Sequence, residues 1–228
     1  FPYEVLIHED ASTDRTAEII ASYETKYPTV IKPIYQRENQ YSKGIDPFFV
    51  YNHSRAMGKY VAVCEGDDYW IDPSKIQKQV GYLESHPACS ASFHTVQNIP
   101  IKTGSSITYL YPIDNRNENK YFIQDIIAFR GQIIHLSSLV FRKELLDNLP
   151  LFINECIVGD LPITLLLANF GYIYYFPEVM SARTRGVPNS ASERLFKGKE
   201  RAINARENFI KLYEEFDRYT DLKYHQEV

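Results

Sequence analysis

The sequence has no long apolar run and few cysteines. Its longest apolar stretch, residues 163–170, is interrupted by polar residues and is far shorter than the roughly 20 residues of a membrane-spanning helix. We therefore expect a soluble chain. Three cysteines, Cys64, Cys89 and Cys156, are widely spaced among apolar neighbours. An odd number argues against a disulfide framework, so we expect reduced core thiols and a cytoplasmic location.

Several functional motifs are also missing. The chain has neither a dinucleotide-binding Gly-x-Gly-x-x-Gly nor a phosphate-binding Gly-x-x-x-x-Gly-Lys, and it has no Gly-x-Ser-x-Gly of an α/β-hydrolase. Lys and Arg number 25 against 29 Asp and Glu, without long basic runs, which argues against nucleic acid as a partner. No histidines have zinc-site spacing, and His94 and His135 lie in apolar surroundings typical of core residues. The opening residues do not form a secretory signal.

The apolar pattern alternates between two periods. Short apolar runs predict strands over residues 5–8, 30–35, 60–64, 89–96, 138–142, 172–176 and 178–182. Helical spacing predicts helices over residues 16–27, 48–57, 73–86, 161–170 and 193–216. This order predicts an α/β fold whose central sheet is mostly parallel and flanked by helices, Rossmann-like in type. We expect one catalytic domain over residues 1–192, followed by an amphipathic helix and tail over residues 193–228.

Acidic residues follow two of the predicted strands. Glu9 and Asp10 follow the first strand, and Glu65, Asp67 and Asp68 follow the third. In a parallel sheet, ligands bind beyond the carboxyl ends of the strands. We therefore expect both acidic segments to face one crevice.

The segment Glu65-Gly66-Asp67-Asp68 has two interpretations. On an extended backbone Glu65 and Asp67 share a face, and such carboxylates suit Mg²⁺ or Mn²⁺ that also holds substrate phosphates. The alternative is a solvated turn that caps the following helix. Three carboxylates beside an apolar strand repel one another, which favours the cation.

Two segments together resemble a known family. Residues 4–16, EVLIHEDASTDRT, resemble the nucleotide-binding motif of family 2 inverting glycosyltransferases, which have the GT-A fold. Residues 64–73, CEGDDYWIDP, followed by KIQKQ at 75–79, resemble that family's metal-binding Asp-x-Asp region in a form common among bacterial polysaccharide enzymes. The resemblance extends over roughly residues 3 to 190 and is closest up to residue 95.

The resemblance implies an enzyme that takes a sugar from a nucleoside-diphosphate sugar. It implies that Asp10 contacts the nucleobase and that Asp67 binds the Mn²⁺ or Mg²⁺ that bridges the diphosphate. The remaining residues that it assigns to nucleotide or sugar binding are Glu9, Ser12, Asp14, Glu65, Asp68, Arg183 and Arg185. Trp70, beside the acidic segment, could offer its ring to a sugar, and the alternative is that it packs into the core. The acceptor would be a sugar or a lipid-linked sugar.

Asp160 has both a structural and a catalytic interpretation. With Pro162 in the first turn, Asp160 suits the N-cap of an apolar helix. The same position resembles the family's acidic motif that supplies the general base. Backbone N–H groups at a helix start favour an ionised carboxylate, so we expect them to lower the pKa of Asp160.

Arg183 and Arg185 follow the last predicted strand. There the family often has an Arg-x-His-like element on a loop over the donor, and a guanidinium in that place could neutralise diphosphate. The alternative is a solvated basic loop.

Rival interpretations and partners remain open at this point. The family usually has a strand and a helix, about 25–30 residues, before the point where this chain begins, so we expect the chain to lack that first strand and helix. A nucleotidyltransferase and a non-catalytic sugar-nucleotide-binding scaffold are the alternative functions. The apolar face of the C-terminal helix could complete the core, contact the inner face of the membrane peripherally or form a homodimer.

Overall fold

The computed structural model of the protein describes residues 1–102, 104–112, 118–129, 133–156, 159–187 and 198–228. These residues form two compact units, Phe1–Val61 and Ala62–Val228. The domain boundary that the sequence predicts at residues 192 and 193 lies outside the described residues. That division therefore stays a prediction.

The first unit is a βαβ arrangement. Strand β1 (Val5–Glu9) leads through helix α1 (Thr16–Lys26) to strand β2 (Ile31–Tyr35), and β1 pairs with β2 in parallel. The predicted strands and helix are confirmed here to within one residue at most ends. The helix predicted over residues 48–57 is instead a π-helical turn at Phe48–Asn52 and a 3₁₀ turn at His53–Arg55. The aromatic and β-branched residues at its start have only modest helix propensity.

The second unit is built on a mixed sheet. Its described strands are β4 (Asp68–Trp70), β5 (Cys89–Pro100), β6 (Thr108–Leu110), β7 (Lys120–Tyr121), β8 (Val140–Arg142) and β9 (Tyr172–Arg185), together with β3 (Tyr60–Ala62), which includes the unit boundary after Val61. The order is β3-β8-β5-β9-β4, with β6 beside β5 and β7 beside β9. The long strands β5 and β9 are parallel, whereas β4, β6, β7 and β8 each pair antiparallel to a neighbour. The α/β class is confirmed, but the pairing in this sheet is mixed rather than mostly parallel, because the predicted strand β8 and the unpredicted short strands β4, β6 and β7 all pair antiparallel.

Strand β9 replaces two predicted strands. The sequence suggests a break near Pro177, since proline cannot donate to a sheet ladder. The structure continues through it with a register irregularity, in which His94 pairs with Phe176 and Thr95 with Val179. The strand therefore extends to Arg185 and includes both arginines that the sequence places on a loop.

Four helices complete the described part of the second unit, namely α2 (Lys75–Ser85), α3 (Ile123–Ala128), α4 (Asp160–Phe170) and α5 (Lys199–Tyr219). Helix α4 is buried on nearly every side and contacts β5, β9 and α3. Helix α5 buries Leu212 and Phe216, so part of its apolar face packs on its own unit. The membrane and homodimer roles of this helix stay predictions. Within the described residues, no helix combines the length and apolarity that crossing a membrane requires.

None of the three cysteines forms a disulfide, as the sequence predicts. Only Cys89 is fully buried, while Cys156 is half-buried and Cys64 is exposed. Cys64 is therefore not a core thiol, because it lies at the start of the acidic segment rather than inside strand β3, which ends at Ala62.

Candidate active site

The acidic segment after β3 is a hydrogen-bonded turn rather than an extended strand end. The backbone N–H of Asp68 donates to the carbonyl of Glu65 at 3.0 Å, which closes a β-turn with Gly66 and Asp67 in its centre. The side chains at the two ends of the turn, Glu65 and Asp68, therefore converge, and Asp67 lies exposed at the tip. The expectation that Glu65 and Asp67 share one face is wrong, because it assumed an extended backbone.

His135 faces this turn from another segment. Its Nε2 lies 3.8 Å from Glu65 Oε2, and its Nδ1 lies 3.4 Å from Asp68 Oδ2. The Ser137 hydroxyl contacts His135 Nδ1 at 2.9 Å and the Ser181 hydroxyl of β9 at 3.1 Å. The histidine that the sequence assigns to the core is thus part of the candidate site.

The pKa values in this group reflect burial and mutual repulsion. The pKa of Glu65 rises to about 7, because the surrounding protein desolvates a side chain that is still half exposed and because Asp68 and Asp67 repel its charge. Burial and Asp67 likewise raise the pKa of Asp68 to about 6. Burial, Arg183 and Arg185 lower the pKa of His135 to about 3, so at neutral pH its imidazole is uncharged and able to bind a metal.

Arg183 lies among the carboxylates of the second unit. Its backbone lies opposite that of Asp68 in the antiparallel pairing of β4 with β9, and its Nε donates to Asn98 Oδ1 at 2.6 Å. Burial and Arg185 lower the pKa of Arg183, whereas Asp68, Asp160 and Glu65 raise it. Both arginines lie in strand β9, so the prediction of a loop over the donor is wrong at these two positions. Residues 188–190 of that predicted loop lie outside the described residues.

Asp160 is the first residue of helix α4, and only 8% of it is exposed. Its Oδ1 accepts a hydrogen bond from the Leu161 backbone N–H at 2.9 Å. This bond favours the ionised form, but burial has the larger effect and raises the pKa of Asp160 to about 6. The expected lowering is therefore wrong. The charge of Asp160 also raises the pKa of Glu65. Asp160 therefore interacts electrostatically with the acidic turn.

Trp70 forms one wall of the same region. Its indole Nε1 donates to the Ser137 carbonyl at 3.0 Å, and the Lys75 ammonium lies 4.4 Å from the centre of its ring. About 39% of the residue remains exposed. The ring is thus anchored at one edge while part of its surface stays open to a ligand.

The acidic residues of the first unit make local hydrogen bonds. The Asp10 carboxylate accepts from the backbone N–H groups of Gln40 at 2.7 Å and Tyr41 at 3.0 Å. Glu9 Oε1 accepts from the N–H of Ser12 at 2.7 Å, and Asp14 Oδ1 accepts from the N–H and hydroxyl of Thr16 at the start of α1. These carboxylates shape the loops after β1, and their roles in nucleotide binding stay predictions.

Comparison with known proteins decides the family. A family model described as Glycosyl transferase family 2 matches residues 1–149. The chain belongs to glycosyl transferase family 2. The match includes the acidic turn and His135 but ends before Asp160 and Arg183, so the roles of these two residues depend on the geometry of the site.

Similar proteins support this family 2 assignment. The chain is 36% identical over 190 residues to an uncharacterized protein of Mycobacterium tuberculosis, covering 81% of this chain and 51% of the relative. It is 36% identical over 84 residues to EpsE of Bacillus subtilis, which is named as a glycosyltransferase (37% and 29% coverage). It is 33% identical over 82 residues to the UDP-Glc:alpha-D-GlcNAc-diphosphoundecaprenol beta-1,3-glucosyltransferase WfaP of Escherichia coli (36% and 30% coverage). The chain spans about half the length of the first of these relatives.

Three side chains of this family 2 chain offer ligand atoms that suit a divalent cation. One ligand atom each from Glu65, Asp68 and His135 lies within 4.8 Å of the others. Asp68 Oδ2 is buried and has no hydrogen-bond partner among the described residues, an arrangement that a cation would compensate. Two carboxylates and one imidazole leave positions for water and phosphate, as Mn²⁺ or Mg²⁺ requires. Asp67, the ligand that the resemblance implies, lies at the tip of the turn, outside this group of three.

Sequence reasoning missed His135 and its serine partners. An isolated histidine carries no spacing signal, because its neighbours in the site come from β4 and β9. The available signal was the polar run His135, Ser137 and Ser138 just before the buried strand β8, which is unusual for a core segment.

Proposed function

We propose that this chain transfers a sugar from a nucleoside-diphosphate sugar to an acceptor hydroxyl and inverts the configuration at the anomeric carbon. Membership of family 2 supports sugar transfer in general. The observation that supports the finer proposal is that the Arg183 guanidinium interacts electrostatically with Asp68, Asp160 and Glu65, all three of which raise its pKa, while Glu65 and Asp68 converge with His135. In this proposal Asp160 supplies the base, and Arg183 supplies positive charge for the phosphates.

Asp160 is the general base of the proposed reaction. Its pKa of about 6 leaves it ionised at neutral pH and basic enough to accept a proton. It would take the proton of the acceptor hydroxyl while that oxygen bonds to the anomeric carbon. The bond from the anomeric carbon to the phosphate oxygen breaks on the opposite face, and the nucleoside diphosphate leaves. Arg183 would place positive charge near that leaving group.

Glu65, Asp68 and His135 would hold the cation, and Asp67 at the tip of the turn would approach it through water or the donor. When bound, Mn²⁺ or Mg²⁺ supplies positive charge that stabilises the departing diphosphate. Because the imidazole of His135 is neutral, this ligand set carries less negative charge than three carboxylates would. The Trp70 ring would offer its open surface to the sugar of the donor.

The names of relatives suggest the first substrates to test. The Escherichia coli relative is named for UDP-glucose and a diphosphoundecaprenol-linked acceptor, and we propose the same two classes for this chain, with a role in cell-surface polysaccharide synthesis. A lipid-linked acceptor would place the enzyme at the cytoplasmic face of the membrane. Ile203 and Ile210 on α5 are 43% and 59% exposed and would support such peripheral contact.

A donor-hydrolysis and transfer assay tests the proposal. The chain is incubated with Mn²⁺ and UDP-glucose, with and without a lipid-linked sugar, and products are identified by mass and by the anomeric signal in NMR. We expect UDP together with free or transferred glucose, and an inverted product. Release of glucose 1-phosphate would instead indicate attack at phosphorus, as in a nucleotidyltransferase, and donor binding without turnover would indicate a scaffold.

A further inference from the structure

Lys75 is a charged residue in a buried place. It opens helix α2, and only 1% of it is exposed. Its Nζ has no hydrogen-bond partner among the described residues, and it lies 4.4 Å from the centre of the Trp70 ring. The ammonium therefore relies on a cation–π contact in place of the three hydrogen bonds it could donate.

Stability alone does not explain this lysine. Burial of an ammonium without hydrogen bonds is unfavourable, and an apolar side chain of similar volume at such a site is often neutral or stabilising. This unfavourable burial is reflected in the pKa of Lys75, which burial lowers to about 7, while the charge of Cys64 acts in the opposite direction. A feature that costs stability beside a candidate site suggests a functional role.

The Trp70 ring links Lys75 to the ligand group. Trp70 is two residues after Asp68 in β4, so their side chains lie on one face of the strand. At its other edge the indole donates to the carbonyl of Ser137, and the hydroxyl of Ser137 contacts His135. The ring thus bridges the strand that carries one ligand and the turn that carries another.

We propose that Lys75 is a positioning residue, which holds the Trp70 ring in place and thereby sets the separation between Asp68 and His135. This inference rests on the proposed metal-dependent function. Lys75 itself does not reach the ligands; it acts through Trp70 and Ser137. Outer residues that orient metal ligands commonly change metal affinity about 10- to 100-fold when they are replaced.

The test compares Lys75→Met, Lys75→Arg and the control Lys223→Met. Lys223 is exposed, and its Nζ also lies over an aromatic ring, 4.8 Å from the centre of Tyr224. Because Trp70 is the only tryptophan of the chain, its fluorescence reports on this contact directly. Mn²⁺ affinity is measured by calorimetry without donor, and folding by thermal unfolding.

We expect Lys75→Met to fold with unchanged or higher stability, to shift the Trp70 emission and to weaken Mn²⁺ binding about 10-fold. Lys75→Arg should retain most of the Mn²⁺ affinity, since it keeps a cation over the ring. Lys223→Met should have the same Mn²⁺ affinity and Trp70 emission as the wild type. The proposal is overturned if Lys75→Met leaves emission and affinity unchanged, or if both Lys75 variants lose affinity only in proportion to lost stability. If the wild type binds no Mn²⁺, the proposed metal site fails, and an unchanged emission in Lys75→Met would then overturn the positioning role separately.

Discussion

Two opposing effects act on Asp160. Its place at the start of α4 offers backbone N–H groups that favour a charged carboxylate, and one of them, from Leu161, is bound. Burial disfavours the same charge and prevails, so the pKa rises from its ordinary 3.8 to about 6. A carboxylate with a fixed orientation and a raised pKa combines the two properties that a general base needs at neutral pH.

Replacing Asp160 should separate binding from transfer. We expect Asp160→Asn to reduce the rate of transfer by about 10²- to 10⁴-fold while donor affinity stays within about 2-fold, because the amide keeps the shape but cannot take a proton. Single-turnover assays and donor titration measure the two quantities. Asp147→Asn, at an exposed residue paired with Lys143, is the matched control, and unchanged transfer by Asp160→Asn would remove the assignment.

The raised pKa of Asp160 also predicts the direction in which Asp160→Asn changes the free energy of unfolding. Folding raises the pKa of Asp160, so the stability that its protonated form provides is lost as pH rises through about 6. At pH 7.5 Asp160→Asn should therefore be as stable as the wild type or more stable, by up to roughly 3 kcal/mol. Urea unfolding at pH 5 and at pH 7.5 checks this, and a variant that is less stable only at the higher pH contradicts it.

The pH dependence of transfer should reveal the base. Because protonated Asp160 cannot act, we expect kcat to fall about 10-fold per pH unit below roughly pH 6. A kcat profile at saturating donor and Mn²⁺ measures this limb. The residual activity of Asp160→Asn should lack it, and a limb that persists in the variant would assign the titration to another group.

At the scale of elements, helices and strands with their own sequence periodicity were predicted better than elements that depend on pairing with a distant strand. The apolar runs and helical spacing located β1, α1, β2, α2 and α4 within a few residues, because these segments carry their periodicity in the chain itself. Strand β4 was not predicted, since Asp68, Tyr69 and Trp70 become a strand only by pairing with β9. His135 was missed for the same reason, because its neighbours in the site are distant in sequence. The acidic residues themselves were found from their types and order.

Two glycines offer a test of element packing. A Cβ on Gly171, between α4 and β9, would lie 2.4 Å from the Ala88 backbone carbonyl oxygen, whereas one on Gly81, inside α2, would meet nothing within 4 Å. We expect Gly171→Ala to lower the free energy of unfolding by ~1–3 kcal/mol and Gly81→Ala to raise it by ~0.5–1 kcal/mol, because alanine favours a helix. Urea unfolding of both variants measures this. Equal stability of the two would contradict the close approach at Gly171.

At the scale of the whole molecule, the second unit alone contains Glu65, Asp68, His135, Asp160 and Arg183. The proposed cation should therefore stabilise the fold of this unit. Excess Mn²⁺ at about 100 times its Kd should add ~2.7 kcal/mol, which is a rise in Tm of about 5–10 °C for a chain of this size, and EDTA should reverse it.

Two variants distinguish the ligands in this thermal assay. We expect Asp68→Asn to abolish the Mn²⁺-dependent rise in Tm, since Asp68 Oδ2 belongs to the ligand group. Asp67→Asn should keep the rise with Mn²⁺ alone and lose the further rise that UDP-glucose adds, since Asp67 lies at the exposed tip. If Asp68→Asn responds like the wild type, the ligand set is wrong.

Strand β9 has a consequence for the release of products. Its parallel pairing with β5 includes Arg183, so the backbone that carries this guanidinium is held in the sheet, and the Arg183 Nε donates to Asn98. Arg183 therefore does not move aside with a loop as a residue on a mobile lid would. The attraction that Arg183 exerts on a diphosphate would persist after transfer is complete. We therefore expect departure of the nucleotide to depend on loss of the cation or on movement of the acidic turn.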